Sequence, residues 1–347
     1  MKVRGNWISA AAMVMVTLAS VAFVASQTDF ADLADAFRQM RYAVVLPFLA
    51  VLTAFYALKT WRWRLLLSPL RRFSLRELWP SLLAGFAFNN LLPAHLGEFV
   101  RMHAFARQSG LSRGAILSTI ALERLFDVLA ILAFLSFGLL QVDSVDETVR
   151  RGGLVFLAAS IVVAVGAAWY VFDTERVLRI VRKVTEVLPE AIGGKIVGLA
   201  ETGADGLNAL REPRLLAAIV ANSLVQWALN GLLVWLALWA FGVSISFAAA
   251  CLVLAAVAFG VTLPSTPGYF GVLQGAFVLA MSGLPGFESQ RSAIVAASIA
   301  YHAMQWVPVT LVGLLGFRLT GLSRSELASE ASGTNADEET AAVHDGD

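Results

Sequence analysis

Six stretches of this chain are apolar over lengths sufficient to cross the roughly 30 Å hydrocarbon core of a bilayer. They cover residues 7–26, 43–66, 114–140, 153–172, 214–241 and 292–318. Inside hydrocarbon the backbone must satisfy its own polar groups, so runs of this length fold as helices. The expected fold class is therefore all-α, a polytopic membrane protein. Composition agrees: 58% of residues are hydrophobic and 15% charged, which excludes an ordinary soluble domain. A net charge of +1 gives no reason to expect a nucleic-acid partner. The lone Cys251, set in an apolar run, excludes a disulfide framework. The first run follows Lys2 and Arg4 and is longer than a signal-peptide core, so it reads as a retained first helix.

Two shorter apolar pieces, 78–92 and 247–263, end in breaks written to one pattern. Residues 87–99 read AFNNLLPAHLGEF and residues 258–270, 171 positions on, read AFGVTLPSTPGYF. Six of the thirteen positions are identical, with Pro93 matching Pro264 and Gly97 matching Gly268. Paired Pro/Gly interruptions at corresponding places in two halves point to the binding site of a transporter-like fold. Each break is expected to be the tip of a re-entrant helical hairpin, with Pro93, Gly97, Pro264, Pro267, Gly268 and Gly271 making the turns.

Orientation follows from Lys/Arg placement. With the N-terminus cytoplasmic and each hairpin returning to its own side, 20 of the 26 basic residues are cytoplasmic, 5 are external, and Arg124 lies in a span. Both termini are then cytoplasmic. Half one (1–142) holds two spans, a hairpin from the cytoplasmic side and a third span. Half two (153–320) holds the same elements with its hairpin entering from outside. The expected architecture is six transmembrane helices plus two re-entrant hairpins in an inverted repeat. Residues 173–213, where Val177, Leu178, Ile180, Val181 and Val184 recur at helical spacing, read as an amphipathic cytoplasmic linker. The acidic tail 321–347 shows no periodicity and reads as disordered.

Ionisable groups at membrane depth are costly and mark function. Glu98 and Arg101 are spaced i,i+3, as are Arg124 and Asp127; Glu123 and Asp127 are spaced i,i+4. Asn89 and Asn90 precede the first break. In one reading Arg101 and Arg124 grip an anionic lipid headgroup, positioned by the carboxylates. In the other, Glu98–Arg101 and Arg124–Asp127 are structural ion pairs that neutralise one another. Half two is nearly uncharged, with Gln274 and His302 as candidates for a polar or proton relay. Tryptophans such as Trp227 and Trp306 read as belt or packing residues. HExxH, CxxC, Walker and GxSxG patterns are absent, and the histidines have no zinc spacing. No metal, no cofactor and no enzymatic activity are expected.

The strings NNLLPAHLGEFVR (89–101), GLSRGAILSTIALERLFDVLA (110–130) and LPSTPGYFGV (263–272) resemble the flippase-like family named after the membrane region of lysylphosphatidylglycerol synthases. Its pattern is matched by Asn90 through Pro93, Gly97-Glu98, Arg101, Glu123-Arg124 and Asp127. The resemblance implies a bacterial inner-membrane protein that moves or handles lipids with large polar headgroups. It also implies partners: an anionic membrane lipid and, in an accessory role, a separate lipid-modifying enzyme. A membrane-embedded enzyme acting on lipid phosphates is a further alternative. Two departures stand out. Where the family carries a glycine and an acid in the second break, this chain has Tyr269 and Gln274; where its last span carries Tyr-Arg, this chain has Tyr301-His302. The soluble synthase domain is not expected in the short stretch after the last span, so lipid aminoacylation is not expected either.

Overall fold

The computed structural model describes residues 2–92, 96–142, 173–185, 212–262 and 267–321, with scattered positions between 150 and 198. Pro93, Pro264, most of the expected span 153–172, much of the linker and the tail lie outside the described residues. Among the described residues there are eleven α-helices and no strand. They are α1 (Lys2–Ser26), α2 (Phe30–Arg38), α3 (Val45–Leu67), α4 (Leu75–Leu91), α5 (Gly97–Ser109) and α6 (Arg113–Gln141). Then follow α7 (Thr174–Thr185), α8 (Pro213–Ala240), α9 (Phe247–Gly260), α10 (Val272–Ser282) and α11 (Phe287–Leu319).

The boundaries follow from local chemistry. Asp29 caps α2 by accepting from Ala31 N–H, Ser112 caps α6 and Ser246 caps α9. Ser74 and Glu77 form a reciprocal capping box at the start of α4. The Ser74 hydroxyl and then its backbone N–H hold the Glu77 carboxyl below its ordinary pKa. Leu92 ends α4 in extended conformation because a residue before proline disfavours the helical region. Among the described residues three segments, Tyr42–Leu67, Pro213–Ala240 and Phe287–Leu319, are long and apolar enough to cross a membrane, and Met13–Ser26 with Phe30–Arg38, bent by 80°, makes a fourth if the pair is one span. The chain is a multi-pass membrane protein. The 29-residue α6 carries Glu123, Arg124 and Asp127 about three to four turns in.

The packing has an internal symmetry. Exchange α3, α4, α5, α6 for α8, α9, α10, α11, and the main contacts among these eight helices map onto one another: α4 on α11 becomes α9 on α6, α3 on α4 becomes α8 on α9, and α3 on α8 maps onto itself. Among the described residues, α1 on α10 and α2 on α11 have no counterpart. The first arm of each hairpin thus seats against the last long helix of the other half. Glycines make both seats. Methyl groups on Gly313 and Gly316 would collide with the α4 backbone at Leu83 and Pro80; one on Gly138 would lie 2.6 Å from Leu252 of α9. The self-paired helices α3 and α8 run antiparallel: Arg41 N–H donates to Ala240 O (2.9 Å), Gln226 Nε2 to Leu58 O (3.4 Å) and Arg62 to Ser223 Oγ (2.9 Å).

The apolar core divides accordingly. Phe48, Val234, Leu254, Phe277 and Tyr301 anchor the cluster joining α3, α8, α9, α10 and α11. Trp63, Phe73, Leu78, Leu82, Phe105 and Ile120 form a second cluster that seats the first hairpin on α3 and α6.

Candidate functional site

Hairpin one begins with a close crossing of its two arms. A methyl group on Gly97 would overlap Gly85 O and the Asn89 backbone, and one on Gly85 would sit 2.8 Å from Arg101 Cβ. Only glycine permits this approach. It delivers Glu98 and Arg101 of α5 to α6, where they meet partners the local spacing did not indicate. Arg101 pairs with Glu123 at 2.5 Å, not with Glu98, and both side chains are buried. Its guanidinium also stacks 3.7 Å over the Trp63 ring, and Trp63 Nε1 donates to Thr119. Glu98 instead forms an ion pair with Arg124 at 3.0 Å. The expected i,i+3 pair Arg124–Asp127 exists, but loosely, at 3.6 Å.

Asp127 is held mainly from α3. Arg62 reaches its Oδ1 at 2.8 Å and Lys59 its Oδ2 at 3.3 Å, while Trp227 Nε1 of α8 donates to Oδ1 at 3.0 Å. Lys59 and Arg62 are buried; counting them as cytoplasmic loop charges is therefore corrected. Arg101 too is buried. Removing all three leaves 17 basic residues against 5, so the bias survives.

Arg124 differs from its neighbours. Its side chain is 42% exposed, against 0–6% for Lys59, Arg62 and Arg101. It faces a cavity of about 490 Å³ between the halves, shared by Glu98, Asp127 and Asn90 from half one and by Trp227, Asn230, Tyr269, Gln305 and Trp306 from half two. Asn90 is positioned by donating to Thr310 at 2.9 Å. Asn89 is buried at the glycine crossing and does not line this cavity.

The family model for the lysylphosphatidylglycerol synthase TM region matches residues 8–313. The chain belongs to that family. No curated protein and no solved structure matches it. The match spans end to end the helices α3, α5 and α6 that carry the charged cluster.

The second break of this family member is locked by neutral groups. Gly268 (φ 80°) and Gly271 (φ 81°) turn the chain through conformations that favour glycine. Pro267 opens the short 3-10 turn Pro267–Tyr269. Gln274 Oε1 accepts Gly271 N–H at 2.8 Å, so its amide NH2 faces His302 Nδ1 at 2.9 Å. That makes Nδ1 the acceptor and puts the ring proton on Nε2. His302 and Gln274 are thus brought together, with the imidazole engaged through Gln274 in holding the break.

Sequence reasoning missed Lys59, Arg62 and Trp227. Lys59 and Arg62 sit at i,i+3 inside the apolar run 43–66, and charge within such a run was the available signal. For Trp227 no sequence signal distinguished a carboxylate donor from a packing residue.

Proposed function

We propose that this protein binds the headgroup of an anionic membrane lipid in the cavity at Arg124 and carries it between leaflets of the bacterial inner membrane. Arg124 carries the reading: a guanidinium at membrane depth, held by carboxylates yet open to a cavity between two halves, suits a phosphate that arrives and leaves. The remaining cations are sequestered in buried pairs and serve to position it.

The architecture we infer is six spans and two re-entrant hairpins in an inverted repeat, with both termini cytoplasmic. Two observations support inversion. The equivalent helices α3 and α8 run antiparallel past one another, which requires the two-fold axis to lie across the helices. The residual Lys/Arg bias, 17 against 5, agrees with a topology in which the two hairpins enter from opposite sides. Such a pair of halves, rocking about a shared site, offers that site to either leaflet in turn.

Single cysteines at Ser109 and Ser289, in a Cys251→Ala background, are expected to react with an impermeant thiol reagent from opposite faces. Labelling of both from one face would overturn the inversion. In liposomes, the purified protein is expected to speed exchange of a headgroup-labelled phosphatidylglycerol between leaflets. Unchanged exchange would leave the accessory-subunit role as the better reading.

A further inference from the structure

We infer that the lipid taken by this cavity is a phosphodiester with a neutral, hydroxylated headgroup, and not one with a cationic, aminoacylated headgroup. The inference rests on the lipid-binding reading above and names the ligand class of that same site. Its first support is charge balance. Among the described residues the cluster holds four cations, Lys59, Arg62, Arg101 and Arg124, against three carboxylates, Glu98, Glu123 and Asp127. One positive charge is left over. A phosphodiester, with one negative charge, closes that balance in a place where uncompensated charge is expensive. A phosphomonoester brings more negative charge than the cluster lacks, and a headgroup that is cationic overall adds to the excess.

The second support is the rest of the cavity lining. Each of the three carboxylates is already bound to a cation, so no acid is left to receive an ammonium group. The uncharged polar lining is amide and phenol: Tyr301 donates to Asn230 Oδ1 at 3.1 Å, and Gln305 lines the same cavity. Such groups both give and accept hydrogen bonds, which matches hydroxyls and discriminates against headgroups lacking them. Tyr56, Tyr269 and Trp306 also line the cavity, and their rings suit the C–H face of a sugar or polyol. The cavity thus combines one cation, a neutral hydrogen-bonding wall and aromatic platforms.

Competition native mass spectrometry of the purified protein in a sugar-free detergent tests this with five probes. They are phosphatidylinositol, phosphatidylglycerol, phosphatidylmethanol (a phosphodiester without hydroxyls), phosphatidic acid and lysyl-phosphatidylglycerol, with phosphatidylcholine as reference. Phosphatidylinositol and phosphatidylglycerol are expected to be retained about tenfold better than the other three, equivalent to about 1.4 kcal/mol. Gln305→Leu and Trp306→Leu should each bring phosphatidylinositol down to the level of phosphatidylmethanol. Equal retention of phosphatidylmethanol, or preference for phosphatidic acid or lysyl-phosphatidylglycerol, overturns the headgroup inference while the lipid site stands. Retention of no probe above phosphatidylcholine overturns the lipid site itself. Deacylated glycerophosphoinositol binding as tightly as the lipid would keep the headgroup chemistry and overturn the lipid as its source.

Discussion

The two halves share a packing plan and differ in the chemistry hung on it. Aligning Ile120-Ala121 of α6 with Ile299-Ala300 of α11 sets Glu123 opposite His302, Arg124 opposite Ala303 and Asp127 opposite Trp306. At the 171-residue spacing of the breaks, Lys59 corresponds to Asn230 and Glu98 to Tyr269. Both halves tie the last helix to the second arm of their own hairpin from the same position: Glu123 to Arg101 by an ion pair, His302 to Gln274 by a neutral hydrogen bond. The charged lock is buried beside the cavity and the neutral lock reaches it only through His302. On matching helix contacts, one half carries charge and the other hydrogen-bonding and aromatic groups.

The sharpest way to break this comparison is to cut each lock in turn, starting with the charged one. Glu123→Leu leaves the buried Arg101 without its carboxylate and is expected to cost about 3–5 kcal/mol, because an unpaired buried charge is left behind. Adding Arg101→Leu should recover most of that loss. Thermal unfolding in detergent, with yield of monodisperse protein as a second readout, measures both. A single substitution that unfolds no earlier than wild type would remove the charged lock from the account.

The next effect concerns the glycines. Gly97→Ala drives a methyl group into the backbone of α4, which cannot yield as a side chain can, so a cost of about 3 kcal/mol or more is expected. Gly260→Ala, the comparable change in hairpin two, meets only the Ala276 methyl at 2.6 Å and should cost less, about 1–3 kcal/mol. Equal tolerance would mean the first hairpin is not held at its crossing. On the neutral side, Gln274→Leu strands Gly271 N–H and one nitrogen of His302, an expected loss of about 1–3 kcal/mol. Gln274→Glu keeps the acceptor for Gly271 N–H but offers no donor to His302 Nδ1, so it should recover only part of the loss; full recovery would overturn the Gln274–His302 bond.

Much of this arrangement was legible before any coordinates. The Pro/Gly breaks, the short arms at 78–92 and 247–263 and the Glu98–Asp127 motif are local features, and the helices formed where they indicated. Partner choice was not legible. Spacing along one helix suggested Glu98 with Arg101, yet α5 presents both to α6, where a buried Glu123 takes Arg101 and the exposed Arg124 takes Glu98. Local i,i+3 proximity is worth a few tenths of a kcal/mol, and tertiary burial overrides it. Lys59 and Arg62 escaped for a related reason. Basic residues near a helix end belong by default to the interface, and only the position of Asp127 on a neighbouring helix turns them inward.

The smallest expected effect on stability falls on the pair that matters most for ligand. Glu98 and Arg124 are 23% and 42% exposed, and a partly solvated pair contributes about 0–1 kcal/mol. Glu98→Gln, Arg124→Gln and the double change should therefore unfold within about 1 kcal/mol of wild type. Lipid occupancy should separate them. Arg124→Gln is expected to lose co-purified anionic lipid, and Arg124→Lys to retain charge but hold it more weakly, since an ammonium lacks the planar fork that matches phosphate oxygens. Glu98→Gln frees Arg124 from its competitor and should raise occupancy, because the carboxylate and the phosphate seek the same guanidinium. If the double change restores lipid that Arg124→Gln removes, the pair is structural and the phosphate binds elsewhere. If occupancy stays lost while stability stays intact, Arg124 is the group that meets the lipid, and that is the expected outcome.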